Sequence, residues 1–582
     1  MSNRLSLLAA AVAASAALAL LPATADAQSV SGEPLKLENS KREPAAAFKA
    51  AALAPAATLR FQPLAAGRLT ALQRNNAANG KRLQVGINRS VADEAETLLP
   101  NRLDWVPVAG GQVLRFDVVS PGAAAMRVGL DIRALPAGAE LRVAGIVGGV
   151  DVVERVDRAM LESGVDAGGT FWSPVTEGDT QRLEVFVPGG QSAVAPAVRA
   201  VSHLISSPFR PIDLAKSLGS SGGCNIDVVC RHGALGQAFI NAENAVARML
   251  FTTTDGSFTC TGTLLNDSTP ATQVPYFYSA AHCISLQSEA STLSTFWRFQ
   301  TPTCGIRSGG ANVQVTGGSD LLFASLASDA SFLRLRTTPP AGAFFAGWNA
   351  STLTAPTAVT AIHHPQGDIK KVSRGTHSGF QASVNIDGQV VTSTARASWT
   401  EGTTEVGSSG SGLFSFTGSE YQLRGGLAGG SASCDNSGLS EAAGNVDYYS
   451  RFDQVFPALQ QWLAATPGAP TRDYTGAWFV PTEAGWGLTI FNFPGQMFAL
   501  LFVYDSAGRP AWYRMQGPWT GTDVVTATLD RPTGPAWSAS FNPNAVTYTV
   551  VGNATLTFTS ATSATLQFND GVVSRTVTLS KI

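Results

Sequence analysis

Charge is scarce in this sequence. Only 14% of its 582 residues are charged, and 40 basic against 42 acidic side chains leave a formal net charge of −2. No positive excess is available to grip a phosphate backbone, so composition excludes nucleic acid as a partner. Beyond the N-terminal run no stretch is long and apolar enough to span a bilayer. Cysteine is missing from both ends of the chain: all six lie between Cys224 and Cys434, which sets one middle segment apart from its flanks. No CxxC pair occurs among them, which argues against a cysteine-built metal site, and no cofactor or metal is expected. Lysine also thins out: beyond Lys216 there are only Lys370, Lys371 and Lys581.

What is present favours strands and turns. The sequence holds 58 Gly and 31 Pro among short alternating apolar runs, and its length suggests about three or four domains or processed segments. Arg4, the run LSLLAAAVAASAALALL and the small-x-small site Ala25-Asp26-Ala27 read as a secretory signal over residues 1–27. Export would put the cysteines in an oxidising compartment, where six should pair, with the connectivity left open. Residues 28 to about 80 are Ala-rich and polar with scattered Pro, which suggests a mobile or loosely helical leader, assigned no fold. From about 82 to 196, VLRFDVV, MRVGLDI, AELRVAG and RLEVFVP alternate with period two between turns, which predicts a small β-sandwich without cysteine. The middle segment, 217–465, ends in FPALQQWL, a short amphipathic helix over Phe456 to Leu463. A linker at 466–472 follows, then a tryptophan-rich β-segment at 473–582.

Three motifs in the middle segment carry chemistry. YSAAHC places His282 where the apolar strand after PYFY ends, LASDASFLRL places Asp329 at the head of another strand, and GSSGSG at Gly407 to Gly412 offers hydroxyls in a glycine-rich turn. Each alone is weak. Together, in the order His, Asp, Ser on a secreted β-chain, they resemble the chymotrypsin-like serine proteases. CNIDVVC at Cys224 to Cys230, SAAHC, FAGW at Phe345 to Trp348, AIHHP at Ala361 to Pro365, GSSGS and GGSASC resemble more closely the bacterial lysyl endopeptidases, across the whole middle segment.

The resemblance implies an all-β chymotrypsin-like double β-barrel over 217–465, preceded by a sandwich-containing propeptide at 28–216 and followed by a small β-rich domain. It makes Ser409 the nucleophile, His282 its general base and Asp329 the residue that orients the histidine. Ser408 and Ser411 are neighbouring candidates for the nucleophile, and Asp320 rivals Asp329. Backbone N–H groups of Gly407 and Ser409 would bind the oxyanion. The implied disulfides are Cys224 with Cys434, Cys230 with Cys304, and Cys260 with Cys283. The acid at the base of the specificity pocket would be Asp447 in DYYSR. Thr403, six residues before the nucleophile, holds the position of that acid in trypsin-like enzymes. Leu427, Ala428, Gly429 and Gly430 would offer the strand edge for substrate. Ala428 stands where the family has a pocket histidine, and the matching pocket tryptophan is not evident, so basic rather than strictly lysine specificity is expected.

Ser408 replaces the aspartate that pairs with a freed N-terminus in trypsin-like zymogens, so that ion pair is ruled out as an activation device. The propeptide would assist folding and block the cleft, with self-cleavage after Lys216, or after Arg210 as a fallback. The expected product is a secreted, monomeric serine endopeptidase acting on proteins and peptides after Lys or Arg, with no membrane contact once the signal is removed. Two other readings stay open: the same triad with a different pocket preference, and an exported binding protein that uses the protease fold as a scaffold. In the tail, Trp478, Trp486, Trp512 and Trp519 are either core or a binding face, and core is favoured.

Overall fold

In a computed structural model of the chain the described residues are 29–36, 46–78, 82–100, 103–147, 150–166, 169–209, 220–268, 273–306, 312–464, 470, 472–493, 496–505, 507–521, 523–536, 541–542, 545–570 and 573–582. The expected signal at 1–27, the expected cleavage sites at Arg210 and Lys216, and most of the expected linker 466–472 lie outside them. Strands make most of the described structure, as the alternating runs and turn residues require. Among the described residues no helix is long and apolar enough to cross a membrane.

The N-terminal strands form two sheets facing a core that includes Leu59, Phe116, Val128, Leu141 and Leu183. One sheet runs Val150–Val156, Glu140–Val147, Thr180–Pro188, Gly111–Val119, Thr58–Phe61 and Ala95–Thr97. Parts of the leader form strand and helix, where composition suggested a mobile or loosely helical stretch. Thr58–Phe61 pairs in parallel with Gly111–Val119, Ala66–Ala78 is a helix, and Ser29–Val30 and Glu33–Pro34 pair with the Trp348 and Phe344 regions. Such short pairings hold too few residues to show alternation; the partner strand supplies their register.

The second sheet, with Ala125–Asp131, Ala197–Leu204 and Leu83–Ser90, does not stop at the sandwich. Leu83, Gln84 and Gly86 sit opposite Thr259, Phe258 and Ser257 of Gly256–Leu265, so the sheet runs on into the middle segment. Leu83, Val85 and Leu204 share one buried cluster with Leu250 and Phe296, and buried Arg127 donates to the Thr292 carbonyl at 2.9 Å across the same junction.

The middle segment is built as two antiparallel lobes. Val246–Thr253, Gly256–Leu265, Tyr276–Ser279, Ser319–Ser325 and Ala330–Leu335 enclose Met249, Phe277, Trp297 and Leu333. Thr357–His363, Lys371–Ile386, Gln389–Glu401, Gly412–Phe416, Tyr421–Gly430 and Asp447–Ser450 enclose Val359, Ala397, Leu413 and Tyr449. The terminal helix is Phe452–Leu463, four residues longer at its start than the FPALQQWL stretch suggests. It buries Phe452, Val455, Phe456, Leu459 and Leu463 against a cluster that includes Trp348, Phe414 and Tyr278. That spacing lines one helical face, and each such side chain contributes roughly 1.5–3 kcal/mol by its burial.

Among the described residues between 476 and 581, eight antiparallel strands form a closed barrel, sealed by Gly476–Phe479 against Ser574–Lys581. Closure removes the exposed sheet edges that an open sheet would carry. The four tail tryptophans divide: Trp478 and Trp519 are in the barrel core, Trp486 is half-buried at its mouth, and Trp512 is exposed.

Candidate active site

The strand Gly256–Leu265 organises the site. Cys260 is bonded to Cys283, which fixes the turn after Tyr276–Ser279, and the Thr261 N–H donates to the Ser409 carbonyl at 2.8 Å. The Thr261 hydroxyl donates to the Gly407 carbonyl at 3.0 Å, so one residue holds the serine loop at two points. A ring nitrogen of His282 and the sulfurs of Cys260 and Cys283 lie within 4.8 Å of one another. Both sulfurs are spent in the disulfide, so this cluster braces the histidine instead of offering metal ligands. Replacing Cys260 and Cys283 together by alanine opens a loop with a separation of 23 residues. The expected cost is about 3 kcal/mol, read as a lower denaturant midpoint, with a loss of turnover as His282 is released.

Asp329 faces His282. Its Oδ2 lies 2.7 Å from His282 Nδ1, and its Oδ1 accepts the His282 backbone N–H at 2.9 Å. Both side chains are buried. The carboxylate is aimed by an unusual backbone: Asp329 has φ 50°, a left-handed turn conformation that Asp tolerates better than most residues. Asp320 is elsewhere, with its carboxylate paired to Arg334 and Arg336 at 2.8 Å each.

Two glycines seat the serine loop against its neighbours. Gly410 has φ 79°, and a Cβ there would stand 2.1 Å from Ser279 Oγ and 2.8 Å from Ala280 N. This contact, which only glycine permits, sets Ser409 beside the turn that carries His282. Gly407 has φ 94° and packs against the backbone of His364, Gln366 and Gly367. Ser409 is buried on the loop between them, at the edge of a cavity of about 620 Å³. Ser408 points away from that cavity: its hydroxyl is 2.8 Å from His363 Nδ1. Ser411 is fully buried.

Asp447 lines the same cavity as Ser409. It lies opposite Ala397 on one neighbouring strand and Gly430 on the other, and is only 1% exposed. Trp399 Nε1 and the Thr404 hydroxyl each donate to its Oδ2 at 2.7 Å. Burial pushes its pKa up to about 6, against these hydrogen bonds and one from the Ala432 N–H, which lower it. Leu427, Gly429 and Gly430 border the cavity, and Ala428 between them does not. Leu427 is tied to Gly410 and Ser411 by backbone bonds, and the register shifts between Leu427 and Gly429, which leaves Ala428 as a buried bulge.

Sequence reasoning did not single out Trp399, Thr404 or Ile386. Trp399 reaches Asp447 because Ala397 is opposite the acid and period two puts Trp399 on the same face, a relation visible only once the register is known. Thr404, one residue beyond Thr403, is the threonine that touches the acid. Ile386 reaches into the cavity from the tip of the hairpin Lys371–Ile386 and Gln389–Glu401, close against Gly429. The sulfurs of Cys224 and Cys434, Cys230 and Cys304, and Cys260 and Cys283 are bonded in pairs.

The comparisons with known proteins agree with this architecture. The family model described as "Lysyl endopeptidase, C-terminal domain" matches residues 218–450, and that described as "Lysyl endopeptidase N-terminal domain" matches residues 60–205. A lysyl endopeptidase of Pseudomonas aeruginosa is 35% identical over 399 residues, covering 66% of this chain and 82% of that protein. The chain belongs to the lysyl endopeptidase family. It is a serine endopeptidase, with the family's N-terminal domain on the sandwich and its C-terminal domain on the two-lobed segment. The family matches end before the closed barrel. Among solved structures, the active form of the Rv3671c protease from M. tuberculosis matches at 14% identity and TM-score 0.27, covering 44% of this chain and 95% of that one. The thermostable serine protease AL20 from an extremophilic microorganism matches at 14% identity and TM-score 0.25, covering 38% and 94%. The family assignment rests on the sequence matches alone.

Proposed function

We propose that this lysyl endopeptidase family member cleaves peptide bonds after Lys, and after Arg as a second choice, by an acyl-enzyme route. The observation that carries the specificity is the shared cavity, in which buried Asp447 and Ser409 line the same space. A Lys side chain entering it would bring an ammonium to a carboxylate already desolvated and fixed by Trp399 and Thr404. Ser409 attacks the carbonyl carbon while His282 takes its proton; Asp329 holds the imidazole by Nδ1 and stabilises the imidazolium. The amides of Gly407 and Ser409 receive the oxyanion. His282 then returns its proton to the leaving amine, and water repeats the sequence to release the acid product.

We further propose that residues 1–27 direct export and that 28–216 are removed by cleavage after Lys216, a bond the pocket itself would accept. The reading that the fold is only a scaffold is disfavoured by the buried His282 and Asp329 pair, an arrangement with no need in a binding module. Two measurements test the proposal: a cleavage-site profile on a denatured protein, expected to be dominated by Lys with a minor Arg component, and N-terminal sequencing of the mature product, expected to begin at Ser217. A profile indifferent to P1 charge would sink the basic specificity.

The pocket acid also predicts a pH dependence. With Asp447 titrating at about 6, the carboxylate is charged above that pH and neutral below it. For a Lys substrate kcat/KM should fall about tenfold per unit as the pH drops below 6, through KM. An ester with an uncharged P1 side chain brings no ammonium to the carboxylate and should lack that limb. Parallel profiles for the two would refute the assignment of Asp447.

A further inference from the structure

We infer that His363 is a positioning residue for the oxyanion-binding turn, acting through Ser408. The inference rests on the reading of Ser409 as nucleophile and of Gly407 and Ser409 as the oxyanion donors. It starts from the residue that stands immediately before the nucleophile. In this chain that residue is a serine, and its hydroxyl turns inward to His363, with both side chains fully buried.

The direction of every proton in this network follows from the chemistry of its two ends. Ser373 Oγ lies 2.7 Å from the Thr403 carbonyl, which can only accept, so the Ser373 hydroxyl proton is committed there. Ser373 Oγ is then an acceptor toward His363 Nε2 at 2.9 Å, and His363 carries its proton on Nε2. Nδ1 is left as the acceptor for the Ser408 hydroxyl at 2.8 Å. Ser408 Oγ in turn accepts the Glu405 N–H at 3.2 Å. A neutral imidazole satisfies all four contacts and a charged one does not, since protonating Nδ1 would take away the acceptor of the Ser408 hydroxyl proton. Burial, with Lys371 nearby, lowers the His363 pKa to about 3, in the same direction.

The chain of hydrogen bonds thus fastens the backbone at Thr403, Glu405 and Ser408 to the adjacent antiparallel strands Thr357–His363 and Lys371–Ile386. Between those points lies Thr404, which holds Asp447; directly after them comes Ser409. From the other lobe, the Thr261 hydroxyl holds the Gly407 carbonyl. The turn is gripped from both sides, and the amides of Gly407 and Ser409 are left oriented by their neighbours. This grip is made entirely by groups within the folded lobes. It needs no charge from a newly cut chain end, so it supplies by neutral hydrogen bonds what an N-terminal ion pair would supply in a trypsin-like zymogen.

The experiment compares mature wild-type enzyme with His363→Phe, which keeps an aromatic ring without the hydrogen bonds, Ser408→Ala, the double variant, and Ser409→Ala. Each is assayed on a lysyl amide, with a peptidyl-lysine boronic acid whose tetrahedral adduct places an oxygen in the oxyanion site, and with n-butylamine, which reports only the cationic pocket. Expected are a kcat lowered about 10- to 100-fold, boronate affinity lowered by a similar factor, and KM and butylamine inhibition within about twofold of wild type. The double variant should be no worse than the poorer single one, because both break the same chain. If kcat stays within about threefold of wild type in both single variants, the inference fails. Equal weakening of boronate and butylamine, or loss of the fold in both variants, would make His363 a structural residue and also overturns it. Turnover retained by Ser409→Ala would instead remove the reading underneath; an inert Ser409→Ala beside fully active clamp variants removes the clamp alone.

Discussion

Ser409→Ala should lower kcat by about a million-fold on a lysyl amide while leaving the chain folded, because in the proposed mechanism its hydroxyl oxygen forms the acyl bond. The loss should fall on kcat, with KM little changed, since Asp447 and its partners stay in place. His282→Ala should cost nearly as much, and the double variant little more, since nucleophile and base act as a unit. A fluorophosphonate should label the wild type at Ser409 and leave the alanine variant unlabelled. Labelling at Ser408 or Ser411 would overturn the assignment; the inward hydrogen bond of Ser408 to His363 is the reason to expect none there.

The second large effect belongs to Asp447. Asp447→Ser removes the carboxylate but leaves the cavity, the Trp399 N–H and the Thr404 hydroxyl without their acceptor. A buried charge contact with an ammonium lost in this way costs about 2–5 kcal/mol, which predicts a fall of about 30-fold to several thousand-fold in kcat/KM for Lys substrates. That loss should appear chiefly in KM. Substrates with an uncharged P1 residue should change little, so the cleavage-site profile flattens while acylation by a fluorophosphonate continues. If Lys preference survived in Asp447→Ser, another acid would have to select the cation.

The candidate site was legible where a residue's local surroundings announce its role. His282 ends an apolar strand, Asp329 heads another, and the serine loop is flanked by glycines that the structure holds at φ 94° and 79°. These are properties of short segments, readable without knowing what packs against them. Trp399 and Thr404 gave no such signal, because their importance comes from the register that sets Ala397 opposite Asp447. The pair His363 and Ser408 was present in two of the quoted motifs, AIHHP and GSSGS, yet nothing in either motif says that they meet across 45 positions of sequence. Ala428 carries a feature no motif announced: it is buried at a one-residue shift in register between Leu427 and Gly429.

At the level of fold, alternation marked the sandwich strands and the helix face. It could not mark the two-residue strands at Ser29–Val30 and Glu33–Pro34, nor the closure of the C-terminal barrel, which depends on its first strand meeting its last. The tail tryptophans show why composition alone divides poorly: on the one strand Pro510–Gly521, Trp519 faces the interior and Trp512 faces water.

The sheet that joins the sandwich to the middle segment makes severing the chain and separating its parts two different events. Cutting a peptide bond in the stretch before Ser220 leaves the pairing of Leu83–Ser90 with Gly256–Leu265 untouched, along with the shared apolar cluster and the Arg127 contact. A molecule so nicked would stay in a kinetic well, and its halves would come apart at the rate at which that ladder unzips or is digested. When they do, the backbone of Ser257, Phe258 and Thr259 becomes a fresh edge strand, open to water and to any extended chain that can lie along it.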